Sequence, residues 1–276
     1  MNSISRIFNE KERLACITLD FELDYGDRIG AFNIIEEEQS LFDLAKLFSD
    51  LHVPVSTFIR TDILINYPNS LEIIKTLAKD YHCHSHTHNT KNHDSRIEIS
   101  TSASTFETVF GNKPLGYRAP QGVLYDGDID LIKTCGFKFS SSVFPSYRPG
   151  KFNNLSLPVN PFIYDNDIME LPFAVVPKLR YIVSLSYLKL LGMALNKSFF
   201  SIFGLPNIIV FDSHLHDFIV NEKSFNKLPW KLRTAWGVRK YSGIKYFTMF
   251  VELLKRKEYR FITMTELYNY LKARLL

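Results

Sequence analysis

The chain has 276 residues, 46% hydrophobic and 22% charged, a globular composition with ample apolar material for a core and unlike that of a disordered chain. Its net charge of +4 is uneven: Glu222 to Arg260 holds eleven Lys and Arg against three Asp and Glu, the remainder twenty-two against twenty-six. Such a basic stretch fits an anionic substrate, a membrane surface or a solvated helix face better than a nucleic-acid-binding protein.

The opening residues, MNSISRIFNEKER, contain no apolar h-region, so no secretory signal is expected and a cytoplasmic location is. LACITLDFEL (14–23) reads as a first strand. An amphipathic helix follows around Ile34–Leu51, with Leu41, Leu44, Ala45, Leu47 and Phe48 on its apolar stripe. PVSTFIR (54–60) reads as a second strand, and NSLEIIKTLAKD (69–80) as a helix capped by Asn69 or Ser70. The histidine-rich HCHSHTH (82–88) lies on or just after a short third strand.

Ile97–Phe110 reads as helix, GYRAPQG (116–122) as strand into loop, and GDIDLIKTCG (127–136) as a helix ended by Gly136. FKFSSSV (137–143), DIMELPFA (167–174) and NIIVFDSHLHDF (207–218) read as strands, the first two separated by a Pro-rich loop. A helix near Ile244–Lys257, a strand FITMTEL (261–267) and a final helical turn or two close the chain. No uninterrupted apolar run of about 18 residues occurs; the richest region, Tyr181–Phe211, is cut by Lys189 and Lys197. Three widely spaced cysteines, Cys16, Cys83 and Cys135, form no CxxC pair, so neither a disulfide framework nor a cysteine zinc site is indicated.

Strands alternating with helices imply parallel pairing through crossover helices. The expectation is an α/β chain forming one domain over 1–276, a distorted (β/α) barrel with seven or eight parallel strands. Chemistry in such a barrel sits at the C-terminal ends of strands, so polar residues that interrupt apolar strands are the candidates.

Asp20 and Glu22 lie two apart on the first strand, which points both side chains to one face. Carboxylates there need a cationic partner, unless Asp20, Glu22 and Asp24 are simply the wet end of the strand. His84 and His88 are four apart, a spacing that on one turn of helix brings two imidazoles to one point. Two histidines and a carboxylate form a metal shell with open positions; a histidine-rich surface loop is the alternative. His82, His86 and His93 are read as bystanders. Arg118 at a strand end offers a planar fork that fixes the orientation of a carboxylate. His214 and His216 interrupt a late strand, where a histidine apart from the metal pair would serve as general acid in amide hydrolysis.

Taken in order, TLDFE, HSHTH, YRAPQG, FSSSVFP and SHLHD resemble the five motifs of the polysaccharide deacetylases, carbohydrate esterase family 4, over about residues 14–268. The resemblance implies Asp20 as general base and Glu22, His84 and His88 as ligands of a divalent metal, zinc or alternatively nickel or cobalt. It implies Arg118 as the arginine touching the base, His216 as general acid, and an N-acetylated sugar as substrate. Two departures stand out: Ser140 occupies the place of an aspartate that tunes the histidine of the fifth motif, where Asp212 or Asp217 would have to substitute, and Glu22 is longer than the usual aspartate. Without a signal peptide, the expected substrate is a sugar intermediate of surface-polysaccharide assembly, possessing a lipid link if the apolar, Lys- and Arg-dotted 173–211 region and the basic 222–260 region meet a membrane surface. A buried barrel helix or a dimer contact would also account for 173–211. The rival readings are hydrolysis of another C–N bond, in a ureide or cyclic imide, and sugar binding without turnover.

Overall fold

The computed structural model describes residues 3–26 and 28–275. Its main sheet is built from β1 (Ile4–Ile7), β2 (Leu14–Phe21), β3 (Val55–Ile59), β4 (Asp80–Cys83), β5 (Gly116–Tyr117) and β6 (Phe139–Ser140). After a small hairpin, β7 (Tyr147–Arg148) and β8 (Phe152–Asn153), come β9 (Phe162–Tyr164) and β10 (Met169–Glu170). A second hairpin, β11 (Val175–Val176) and β12 (Tyr181–Ile182), precedes β13 (Ile208–His214) and β14 (Arg260–Phe261).

The sheet runs β1-β9-β10-β6-β5-β4-β3-β2-β13, with β14 paired to β2 as well. Eight strands, β2 to β6, β10, β13 and β14, are joined by parallel pairing, while β9 is antiparallel to both β10 and β1. All eight residues of β2 are buried, as suits an apolar strand covered on both faces of a parallel sheet. Strand β13 lies along the whole of one edge of β2, from Leu14 to Asp20. On the other edge β3 starts only at Ile17, and β14 fills the place before it at Leu14 and Ala15.

Helices cover the sheet through the expected stripes. Helix 38–50 buries Leu41, Leu44 and Phe48, and helix 243–256 buries Phe247, Phe250, Val251 and Leu254, both at i, i+3 and i+4 spacings. Between β10 and β13 the barrel does not close into a ladder among the described residues. The seam is spanned instead by one hydrogen bond, from Ala174 N to Val210 O at 3.0 Å, and an isolated bridge between Ser184 and Asp212.

Several segments depart from the sequence reading for local reasons. FITMTEL is strand only to Phe261; Thr263 and Glu266 then form a reciprocal capping box that starts helix 264–272. FKFSSSV pairs only at Phe139–Ser140, because the next amides turn away to other acceptors, Ser142 and Val143 both to Glu170 Oε1 at 2.8 Å. His84 to His88 lie in a loop after β4 rather than on a helical turn, with Ser85 and His88 at φ +61°.

Helix 243–256 begins hard against the short helix 215–218. A Cβ added at Gly243 would lie 1.9 Å from the Asp217 carbonyl oxygen, whereas one at Gly237 would meet only the Phe225 ring at 3.5 Å. Gly243→Ala is therefore expected to cost about 1–3 kcal/mol of stability by overpacking, read from the denaturant midpoint, with Gly237→Ala as the mild control. A Gly243→Ala protein as stable as the control would show that this helix start can shift freely.

Candidate active site

Asp20, His84, Arg118 and His214 all stand at the C-terminal ends of parallel strands or just beyond them, the end where such sheets place their chemistry. At the centre is Arg118, 1% exposed. Its guanidinium is in direct ion-pair contact with Asp20 Oδ1. It also donates to Thr18 Oγ1 at 3.0 Å, to Ser141 O at 3.1 Å and to Ser141 Oγ at 3.1 Å. The rings of Phe58 and Phe173 flank it, with centroids 3.7 and 4.4 Å from Cζ, a cation–π arrangement in a water-poor setting. Asp212, 3.6 Å away, is its second carboxylate. Burial, with the Asp20 carboxylate beside it, pushes the Asp212 pKa up to about 6, against the opposing pull of His214 and Arg118.

Glu22, His84 and His88 come together as the sequence spacing suggested, all buried, with ligand-type atoms within 4.8 Å of one another. Glu22 Oε2 lies 2.9 Å from His88 Nε2 and 3.5 Å from His84 Nε2. Burial works against an ionised Glu22, but the surrounding His88, His84 and His214 outweigh it and hold the pKa well below the usual carboxylate range. His84 Nδ1 donates to the Arg118 carbonyl oxygen at 3.1 Å, which turns Nε2 toward Glu22. The loop carrying both histidines is wrapped around Glu98. That buried carboxylate accepts from the amides of His86, Thr87 and His88 at 3.2, 2.9 and 3.0 Å, and from the Thr87 hydroxyl. Glu98 escaped the sequence reading because nothing in RIEIST marks one glutamate as an anion for a distant loop. His86 faces Thr61 Oγ1 and His82 donates to Asp80, so neither reaches the cluster.

The two histidines of the last motif separate. His214, the final residue of β13, puts Nε2 3.9 Å from Asp20 Oδ2 and 3.7 Å from Glu22 Oε1. Its Nδ1 lies 3.4 Å from Asp217 Oδ2. Asp217 is fully buried, accepts from the Ser186 hydroxyl at 2.8 Å and lies 3.5 Å from Lys189 Nζ. Burial opposes a charged His214, yet Asp212, Asp217, Glu22 and Asp20 raise its pKa well above the ordinary imidazole value. His216, expected as the acid, sits behind His214 on helix 215–218, its ring 4.9 Å from that of His214 and 4.7 Å from that of Tyr25. Burial and the neighbouring His214 push its pKa down to about 3, so it stays neutral at physiological pH. Ser140 donates to Ser142 Oγ at 2.9 Å and takes no part near His214; Asp217 supplies the carboxylate there. Two other carboxylate–histidine clusters, Asp20/Asp212/His214 and His214/His216/Asp217, are close enough to hold an ion, but each would consume His214.

Asp20, Glu22, His84, His88, Arg118, Asp212, His214 and His216 line one cavity of about 280 Å³, whose other walls include Gln121, Phe144, Arg148, Tyr187 and Trp236. No protein-family model and no curated protein matches the chain. Solved structures do. A Mycobacterium smegmatis protein assigned as a polysaccharide deacetylase superposes with a TM-score of 0.61 at 16% identity, covering 100% of this chain and 96% of that one. The Puue allantoinase gives 0.60 at 13% identity, covering 96% and 92%. The Bc1960 peptidoglycan N-acetylglucosamine deacetylase gives 0.51 at 12% identity, covering 93% and 88%. At such identities the likeness speaks for architecture: the chain has the α/β fold that the polysaccharide deacetylases share with this allantoinase.

Proposed function

We propose that the chain is a metal-dependent hydrolase that removes an N-acetyl group from a carbohydrate, an intermediate of surface-polysaccharide biosynthesis handled in the cytoplasm. The observation that carries this reading is one cavity lined by an arginine-held carboxylate, a two-histidine, one-carboxylate cluster and a third histidine opposite. Glu22, His84 and His88 fit a divalent ion: the donor set suits zinc, with nickel or cobalt as alternatives, and the Glu22 carboxylate is already surrounded by cationic or neutral imidazoles. Such an ion, when bound, supplies a Lewis acid for the carbonyl and makes water more acidic.

The protein's own residues perform the remaining steps. Arg118 holds Asp20 Oδ1, leaving Oδ2 turned toward His84 and His214 at 3.6 and 3.9 Å. Asp20 is thereby oriented to take the proton of the attacking water. As the C–N bond breaks, the departing amine takes a proton and acetate leaves. We assign that proton to His214 rather than to His216, because His214 faces the cluster, is backed by Asp217 and favours the charged form.

The membrane part of the reading rests on the cavity rim. Helix 230–237 contributes Trp236 to the cavity and buries none of its residues. Trp230 and Tyr241, within the basic 222–260 stretch, are 68% and 72% exposed, and Ile202 is 70% exposed. These features support peripheral contact with an anionic bilayer and a lipid-linked substrate. No helix among the described residues is long and apolar enough to cross a membrane.

Three outcomes are expected. Asp20→Asn should lose roughly 10²–10⁴ in kcat while retaining metal by elemental analysis, and His84→Ala/His88→Ala should lose the metal itself. A wild type that stays metal-free when zinc is supplied would remove this site. His214→Gln should lose activity and, with it, the alkaline fall of the wild-type pH profile: a raised pKa means the proton is available at low pH and lost as pH rises through it. His216→Gln should keep that alkaline limb; the reverse pattern would return the acid to His216. Finally, the protein should co-sediment with anionic vesicles at low salt, and absence of binding there would remove the membrane contact.

A further inference from the structure

Among the cations lining the cavity, Arg148 differs from its neighbours. Arg118 is fully engaged by Asp20, Thr18 and Ser141. Arg28 donates to the Tyr25 carbonyl oxygen at 2.9 Å and lies 4.9 Å from the Trp236 ring centroid. Arg148 is partly buried and lines the same cavity as Asp20 and Glu22, yet no carboxylate, carbonyl or ring among the described residues engages its side chain. A guanidinium removed from part of its water and given no partner is costly. The cost is removed when a ligand supplies the anion.

Its position is also fixed. Arg148 pairs with Phe152 across the β7–β8 hairpin, and Lys151 N donates to the Arg148 carbonyl oxygen at 3.0 Å. The Phe152 ring stacks on Phe144 at 5.9 Å and 3°, Phe144 stacks on Phe173 at 3.8 Å and 7°, and Phe173 lies against Arg118. An aromatic column thus ties the hairpin that bears Arg148 to the residue that orients Asp20. The backbone beneath the guanidinium is therefore set in place before a ligand arrives, and only the side chain is left to order.

We propose that Arg148 is an oxyanion subsite, and that the N-acyl sugar carries a phosphate ester which this guanidinium grips while the acyl group lies at Asp20 and Glu22. The proposal rests on the deacetylase reading for the position of the acyl group, but not for the anion site itself. Arginine presents two parallel N–H donors to two phosphate oxygens, and a half-exposed place at the rim leaves the other oxygens to water. The phosphate belongs either to a soluble sugar phosphate or to a lipid-linked one.

Calorimetric titration of the full-length protein with N-acetylglucosamine 1-phosphate and with its uncharged methyl glycoside tests this directly. Wild type should prefer the phosphate by roughly tenfold or more, the size of one charge-assisted pair. The preference should collapse in Arg148→Ala and survive in part in Arg148→Lys, which keeps the charge without the fork. Equal affinities in wild type, an unchanged preference in Arg148→Ala, or binding of neither sugar would overturn the subsite. The same phosphate esterified to a short polyprenol separates the sources: tighter binding than the soluble probe supports the subsite with a lipid-linked substrate, and no gain supports it with a soluble one. Phosphate preference without acetate release would remove the deacetylase reading and keep Arg148, whereas acetate release without phosphate preference would do the reverse.

Discussion

A full positive charge buried at the centre of the molecule organises everything around it. Arg118 cannot shed its proton, so its charge must be met where it stands, and removing one partner of such a pair costs about 3–5 kcal/mol. The partners come from five parts of the chain: Thr18 and Asp20 on β2, the face of Phe58 on β3, Ser141 after β6, the face of Phe173 after β10, and Asp212 on β13. Those strands are distant in sequence and can meet only if the parallel sheet is in register. The ion pair therefore ties fold and chemistry together: the ladder that brings β2, β5 and β13 together also aims Asp20 at the cavity.

Around this centre, carboxylates divide into two kinds of work. Asp20 and Glu22 face the cavity. Glu98, Glu170 and Asp217 face backbone or histidine instead, and each fixes a loop that no strand pairing reaches. Glu98 gathers the amides of 86–88, Glu170 those of 142–143, and Asp217 steadies His214 from below. At Glu98 and Asp217 the converging donors and charges outweigh burial and hold the pKa low, whereas burial raises that of Glu170, whose two amide donors share one oxygen. The cavity groups thus owe their directions to a second layer of acids that never meets a ligand.

This division decides how much could be read in the sequence. Asp20 and Glu22 were legible because they interrupt an apolar strand, His84 and His88 because of their clustering and spacing, and Arg118 because it stands at a strand end where a carboxylate needs a partner. Of the second layer, Asp217 was one of two candidates to replace the aspartate absent at Ser140, whereas Glu98 was not legible, since it acts on a loop whose shape depends on Ser85 and His88 at φ +61°, a conformation neither residue type announces. The helical reading of HSHTH failed for the same cause: i, i+4 spacing places two histidines together in a helix, but a loop wound around an anion does so as well. The choice between His214 and His216 turns on where β13 ends. Strand alternation puts residues 212, 214 and 216 on one face, yet β13 ends at His214. The helical turn that follows stacks His216 against His214, so both rings reach the cavity wall. The parallel pairing of seven or eight strands, by contrast, followed from the alternation of strands and helices alone, although the open seam between β10 and β13 did not.

That seam has a consequence for how this architecture can diverge. Where other neighbours in the sheet are locked by consecutive amide pairing, the 173–184 segment crosses the gap with one hydrogen bond and one isolated bridge. It nevertheless furnishes Phe173, Ile182 and Ser184 to the cavity wall. Residues can be gained or lost there without a slip of register in any of the eight strands, so one wall of the cavity is free to be remoulded while the wall that holds Asp20 keeps its shape.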